Sequence, residues 1–72
     1  MKYTVWWRLV GVDDTELFFI TLEECRSYFD KTYSYFSSEY GVPTFTDDQM
    51  YKDEYRYVEF KTDEGILILS MY

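Results

Sequence analysis

Histidine is absent from the chain, and cysteine occurs once in 72 residues. The first absence excludes Ser-His and Cys-His catalysis and every histidine-ligated metal site; the second excludes an internal disulfide and a thiolate zinc cluster. Glycine is nearly as scarce. Gly11, Gly41 and Gly65 are each explained by a turn or a helix cap, which leaves no phosphate-cradling loop and no dinucleotide pattern. Bases are few, with 7 Lys and Arg against 14 Asp and Glu, a formal net charge of −7. Duplex affinity comes largely from cations that neutralise phosphates, so nucleic acid is not the expected direct ligand. An anionic membrane surface would repel the chain for the same reason. No apolar run approaches the roughly 18 residues of a membrane span. The opening MKYTVWWRLV has no apolar signal core or small-residue cleavage pattern. With a lone cysteine, these features make the cytoplasm the expected compartment.

Aromatic residues are abundant, at 24% of the chain within a hydrophobic share of 47%. That share is too large for a disordered acidic tail. A domain of this length buries only about 60% of the surface its unfolded chain exposes and usually needs a staple or a heavy core. Rings that each bury roughly 150–250 Å² are the available substitute. The length allows one domain, residues 1–72.

Residues Tyr3 to Val10 alternate and are rich in β-branched and aromatic types, so they read as a strand. Gly11 to Asp14 form the turn, and Thr15 to Ile20 the returning strand. Pairing Val10 with Thr15 sets Trp7 opposite Phe18 and Val5 opposite Ile20, leaving Trp6, Arg8, Leu17 and Phe19 on the other face. Thr21-Leu22-Glu23-Glu24 fits a capping box. A helix over Leu22 to Tyr40 follows, ended by Gly41 in a left-handed cap and Pro43 beyond it. Its apolar stripe is Leu22, Cys25, Phe29, Tyr33, Phe36 and Tyr40. Val42 to Met50 read as a loop, Tyr51 to Lys61 as a long strand, Thr62 to Gly65 as a turn, and Ile66 to Tyr72 as the last strand. Val58 and Phe60 then share a face with Leu67, Leu69 and Met71.

The expectation is an α+β fold, β-β-α-β-β, with a four-stranded antiparallel sheet and one amphipathic helix on one face. The expected core is Val5, Trp7, Leu9, Phe18, Ile20, Val58, Phe60, Leu67, Leu69 and Met71 against the helix stripe. The order of strands is not fixed by the pattern.

Catalytic chemistry finds little support. Cys25 lies on the apolar stripe, where the thiolate is disfavoured. The carboxylate pairs lie in turns or on polar faces, without the desolvated cleft that acid-base work demands. The calcium-loop pattern is absent. No enzyme, no cofactor and no metal site is expected.

The acids form a surface pattern instead. Asp13 and Asp14 tip the first hairpin, Asp63 and Glu64 tip the second, and Asp47, Asp48, Asp53 and Glu54 crowd the connection after the helix. Spread carboxylates on a rigid scaffold can imitate the phosphates of a nucleic-acid backbone and attract a basic partner. On the helix, Glu24, Tyr28, Tyr35 and Glu39 fall within about 60° of one another, beside the apolar stripe. The open sheet face adds Trp6, Arg8, Leu17, Phe19, Tyr55, Tyr57, Ile68 and Tyr72, an aromatic surface suited to a partner or a second copy. The expected contact set is therefore the ten acids named here with Trp6, Phe19, Tyr28, Tyr35, Tyr55 and Tyr57.

In size, acidity, aromatic load and single β-β-α-β-β unit, the chain resembles the small acidic inhibitors encoded by bacteriophages. These include anti-CRISPR and anti-restriction proteins, several of which mimic DNA. The resemblance implies a host nucleic-acid-binding enzyme as partner, met in the host cytoplasm and blocked by steric occupation. The alternative expectation is a homodimeric structural or regulatory module joined through the aromatic open face.

Overall fold

The computed structural model describes residues 3–9, 14–47 and 55–72. Its elements are β1 (Tyr3–Leu9), β2 (Asp14–Phe19), α1 (Leu22–Tyr40), β3 (Phe45–Asp47), β4 (Arg56–Thr62) and β5 (Gly65–Met71). The strands form one antiparallel sheet in the order β2-β1-β5-β4-β3. The fold is α+β as expected, but the sheet has five strands rather than four. The extra strand, β3, lies in the stretch read as a loop. Three residues are too few to show an alternation. β3 is held by pairing Phe45 with Glu59 and Asp47 with Tyr57, and is preceded by a Thr44 N–H bond to the Glu59 carbonyl at 2.8 Å.

Two hairpins meet through β1 and β5, which pair Val5 with Met71, Trp7 with Leu69 and Leu9 with Leu67. β5 is thus the central strand, and Leu67 to Met71 are buried on both faces. Its near-continuous apolar run suits that position. The β4–β5 register matches the pattern, pairing Val58 with Leu69 and Phe60 with Leu67. Its turn is tied by the Thr62 hydroxyl, which donates to the Gly65 carbonyl at 2.9 Å and accepts from the Glu64 N–H at 3.1 Å. Gly65 has φ of 134°, a value that L side chains rarely adopt.

The first hairpin departs from expectation by three residues. Trp7 pairs with Thr15, Val5 with Leu17 and Thr4 with Phe18. An odd number of residues separates Arg8 from its partner Asp14, whereas the expected pairing assumed an even loop. A slip by any odd number of residues exchanges the faces of a whole strand. The observed register keeps Asp14 and Glu16 out from under the helix and turns Leu17 and Phe19 toward it. Phe18 and Ile20 accordingly leave the expected core, at 57% and 81% exposed. Phe19 takes their place, half-buried against the core, so it does not belong to the open face.

The helix begins with one leg of the expected capping box. The Glu24 N–H donates to Thr21 Oγ1 at 3.2 Å, and that hydroxyl donates to Glu24 Oε1 at 3.1 Å. The carboxylate thus reaches back to the hydroxyl of the cap. At the other end the Gly41 N–H bonds the Ser37 carbonyl at 2.9 Å. Gly41 has φ of 87° with ψ of −168°, so the cap is a glycine-specific extended turn rather than the expected left-handed helical residue.

Cys25, Phe29 and Phe36 are the buried residues of α1. Leu22 and Tyr33 are half-buried beside them, while Tyr40 lies 44% exposed at the helix end. Phe36 stands edge-on to Trp7 at 6.1 Å and to Phe60 at 5.9 Å between ring centres, and Tyr33 stands edge-on to Phe60 at 5.8 Å. Such edge-to-face pairs add about 0.5–1.5 kcal/mol each beyond area burial. Ring packing between one helix and the sheet takes the place that disulfides hold in other small folds.

Candidate interaction face

The helix covers one face of the sheet, and side chains on the other face follow from the registers. One row across it reads Glu16, Trp6, Ser70, Tyr57, Asp47; the next reads Asp14, Arg8, Ile68, Glu59, Phe45. At a strand separation of about 4.8 Å, Glu16 and Asp47 stand about 19 Å apart at the ends of their row. The middle of this face is closed although α1 lies on the opposite side. Ile68 and Ser70 are buried because their row neighbours are large: Trp6 and Tyr57 flank Ser70, and Arg8 and Glu59 flank Ile68. The Ser70 hydroxyl donates to the Arg56 carbonyl at 3.0 Å.

The polar groups on the face hold one another. Tyr57 Oη donates to Glu59 Oε2 at 2.7 Å. Burial first, and then that bond and the Glu59 charge, push the Tyr57 phenol up to about 12. Tyr72 Oη donates to Glu16 Oε2 at 3.4 Å, and its phenol is raised by burial and by Glu16. Arg8 Nε lies 3.8 Å from Asp14 Oδ1, the one ion pair among the described residues. Its guanidinium carbon lies 5.8 Å from the Trp6 ring centre. Trp6, Arg8, Asp14, Glu16 and Tyr72 line a shallow hollow of about 440 Å³.

The expected contact residues fall into separate places. Trp6, Tyr57, Asp14 and Asp47 come together on the open face. Tyr55 lies half-buried just before β4. Glu39, Asp63 and Glu64 gather with Lys61 at another end of the molecule. Glu24 caps the helix, and Tyr28 is a packing residue, its ring 6.0 Å from Trp7 and 5.4 Å from Phe19. Tyr35 is exposed on the helix. Asp13, Asp48, Asp53 and Glu54 lie outside the described residues. Glu16 and Glu59 were absent from the expected contacts and stand on the face, Glu16 at the β2 edge and Glu59 on β4 beside the central strand. The expected register turns Glu16 under the helix, and Glu59 lies within a strand rather than in an acidic turn.

No protein-family model, curated protein or solved structure matches the chain. No helix among the described residues is long and apolar enough to cross a membrane.

Proposed function

We propose that this chain is a non-enzymatic acidic binding protein that occupies a basic nucleic-acid-binding groove of another protein, as an anti-CRISPR or anti-restriction inhibitor does. The observation that carries the reading is the coincidence of acids and rings on the sheet face opposite α1. Asp14, Glu16, Glu59 and Asp47 stand between Trp6, Tyr57 and Phe45 on a rigid sheet, with a single ion pair to Arg8. Fixed anions and aromatic anchors on one surface are the two ingredients of a tight contact with a cationic groove. The remaining carboxylates at the Lys61 end broaden the negative field that steers such a partner.

The face also weakens the homodimer alternative. Two copies meeting through it would bring four carboxylates of each against the other, with Arg8 and Lys61 as the described cations on that side. Repulsion of that kind costs stability unless every charge finds a partner.

The test is capture by the immobilised chain from a bacterial lysate, with release by duplex DNA or RNA at constant ionic strength. Captured proteins are expected to bind nucleic acid, to be displaced by it, and to dissociate as salt rises from about 50 to 500 mM, where the Debye length falls to a few ångströms. A combined Glu16→Gln, Asp47→Asn, Glu59→Gln variant is expected to capture little. Capture that survives competitor, salt and these amides would overturn the reading.

A further inference from the structure

The hollow at the β2 side of the open face has a chemistry of its own. Trp6 gives it an aromatic platform, Tyr72 a second ring, and Asp14 and Glu16 two carboxylates. One cation already rests there: the Arg8 guanidinium, 5.8 Å from the Trp6 ring centre and 3.8 Å from Asp14. The resident arginine thus uses the platform and one carboxylate. Glu16 is left with a neutral partner, the Tyr72 hydroxyl at 3.4 Å. Among the described residues the hollow therefore carries one negative charge in excess beside an indole face.

On these grounds we infer that the hollow is an arginine pocket: it receives the guanidinium of one arginine side chain from the basic partner, stacked against Trp6 and paired with Glu16. The inference rests on the proposed function and names the group on the partner that this face grips. A planar guanidinium suits the site better than an ammonium. It stacks on an aromatic face while donating in its plane to a carboxylate, and it sheds water more easily. Arg8 shows a looser form of that arrangement with the chain's own side chain, its guanidinium carbon 5.8 Å from the Trp6 ring centre and its Nε 3.8 Å from Asp14 Oδ1, an ion-pair distance rather than a hydrogen bond. Arg8 is also a competitor, since it holds the same platform and repels a second cation. Removing it should therefore strengthen binding, the reverse of what is expected for a residue that merely shapes the surface.

The experiment is a titration of the full chain, labelled with nitrogen-15, with the blocked tripeptide Ac-Gly-Arg-Gly-NH2. Ac-Gly-Lys-Gly-NH2 and Ac-Gly-Gln-Gly-NH2 serve as controls at matched ionic strength. The Trp6 indole signal is assigned by its loss in Trp6→Phe. It is expected to shift with the arginine peptide, more weakly with lysine and not with glutamine. Glu16→Gln should weaken the arginine response about two- to fivefold, and Arg8→Gln should strengthen it by a similar factor. Unchanged amide spectra elsewhere verify that both variants fold. An unmoved Trp6 signal, equal responses to lysine and arginine, or an Arg8→Gln variant that binds no better would each overturn the pocket. Capture of a basic partner that still depends on Asp47 and Glu59 would then leave the broader reading standing.

Discussion

Tyr57 and Glu59 stand two residues apart on the same face of β4, and the phenol donates to the carboxylate at 2.7 Å. The bond ties one of the face's aromatic anchors to one of its anions. It gives both a fixed direction before any partner arrives, which lowers the ordering cost of association.

The same bond has an alkaline signature. The Tyr57 phenol ionises at about 12 in the folded chain against about 10 when unfolded. A raised pKa means that the folded state holds the proton more tightly. The stability this contributes is complete below about pH 10 and is lost as pH climbs toward about 12. Denaturant midpoints measured across that window should fall, and Tyr57→Phe should flatten the fall. Glu59→Gln should move the tyrosinate transition down only partway, because burial, the first cause of the shift, remains.

The register of the first hairpin can be tested by two neighbours. Phe19 packs against Tyr28 at 5.4 Å, while Ile20 is 81% exposed. Phe19→Ala should cost about 1–2 kcal/mol, less than the 3–5 typical of a fully buried ring. Ile20→Ala should change stability by no more than about 0.5 kcal/mol. The pairing expected from the alternation alone would give the reverse order in chemical denaturation.

That pairing shows where the sequence is legible and where it is not. Helix α1 was readable because its signals agree: Thr21 and Glu24 cap one end, Gly41 closes the other, and Cys25, Phe29 and Phe36 recur at the helical period. The second hairpin was readable because Val58 and Phe60 alternate with Glu59 and Lys61 in β4, and the short turn from Thr62 to Gly65 carries that phase onto the apolar run of β5. The first hairpin was not, because Leu17, Phe18, Phe19 and Ile20 are a continuous apolar run. Such a run has no phase, and the loop length decides its facing. The strand order was silent for a related reason: β1–β5 pairing joins residues as far apart as Val5 and Met71, which no local pattern encodes. The aromatic half of the site was visible as Trp6 and Tyr57. Its acidic half was sought in the turns, where Asp is common, while Glu16 and Glu59 sat within strands.

Cys25 should report on folding rather than function. It is completely buried beneath the helix, and burial pushes its thiol up. A thiol reagent added to the native chain should label it only as fast as the core opens. Labelling should become immediate in denaturant. Fast, complete reaction of the native protein would mean that the helix does not stay docked on the sheet.

Glu39 tests whether charge is held at the expense of stability. It lies in the last turn of α1, where no base is present and where the helix dipole disfavours an anion. It also stands with Asp63 and Glu64 around Lys61, so two further carboxylates add to the strain. Glu39→Lys reverses both effects and should stabilise the fold by a few tenths to about 1 kcal/mol. The substitution also removes two units of negative charge from the field that steers a basic partner, so association should slow and depend less steeply on salt. A variant that is both more stable and slower to bind would mark the acid as placed for its partner. A gain in stability with unchanged association kinetics would confine the steering charge to the open face.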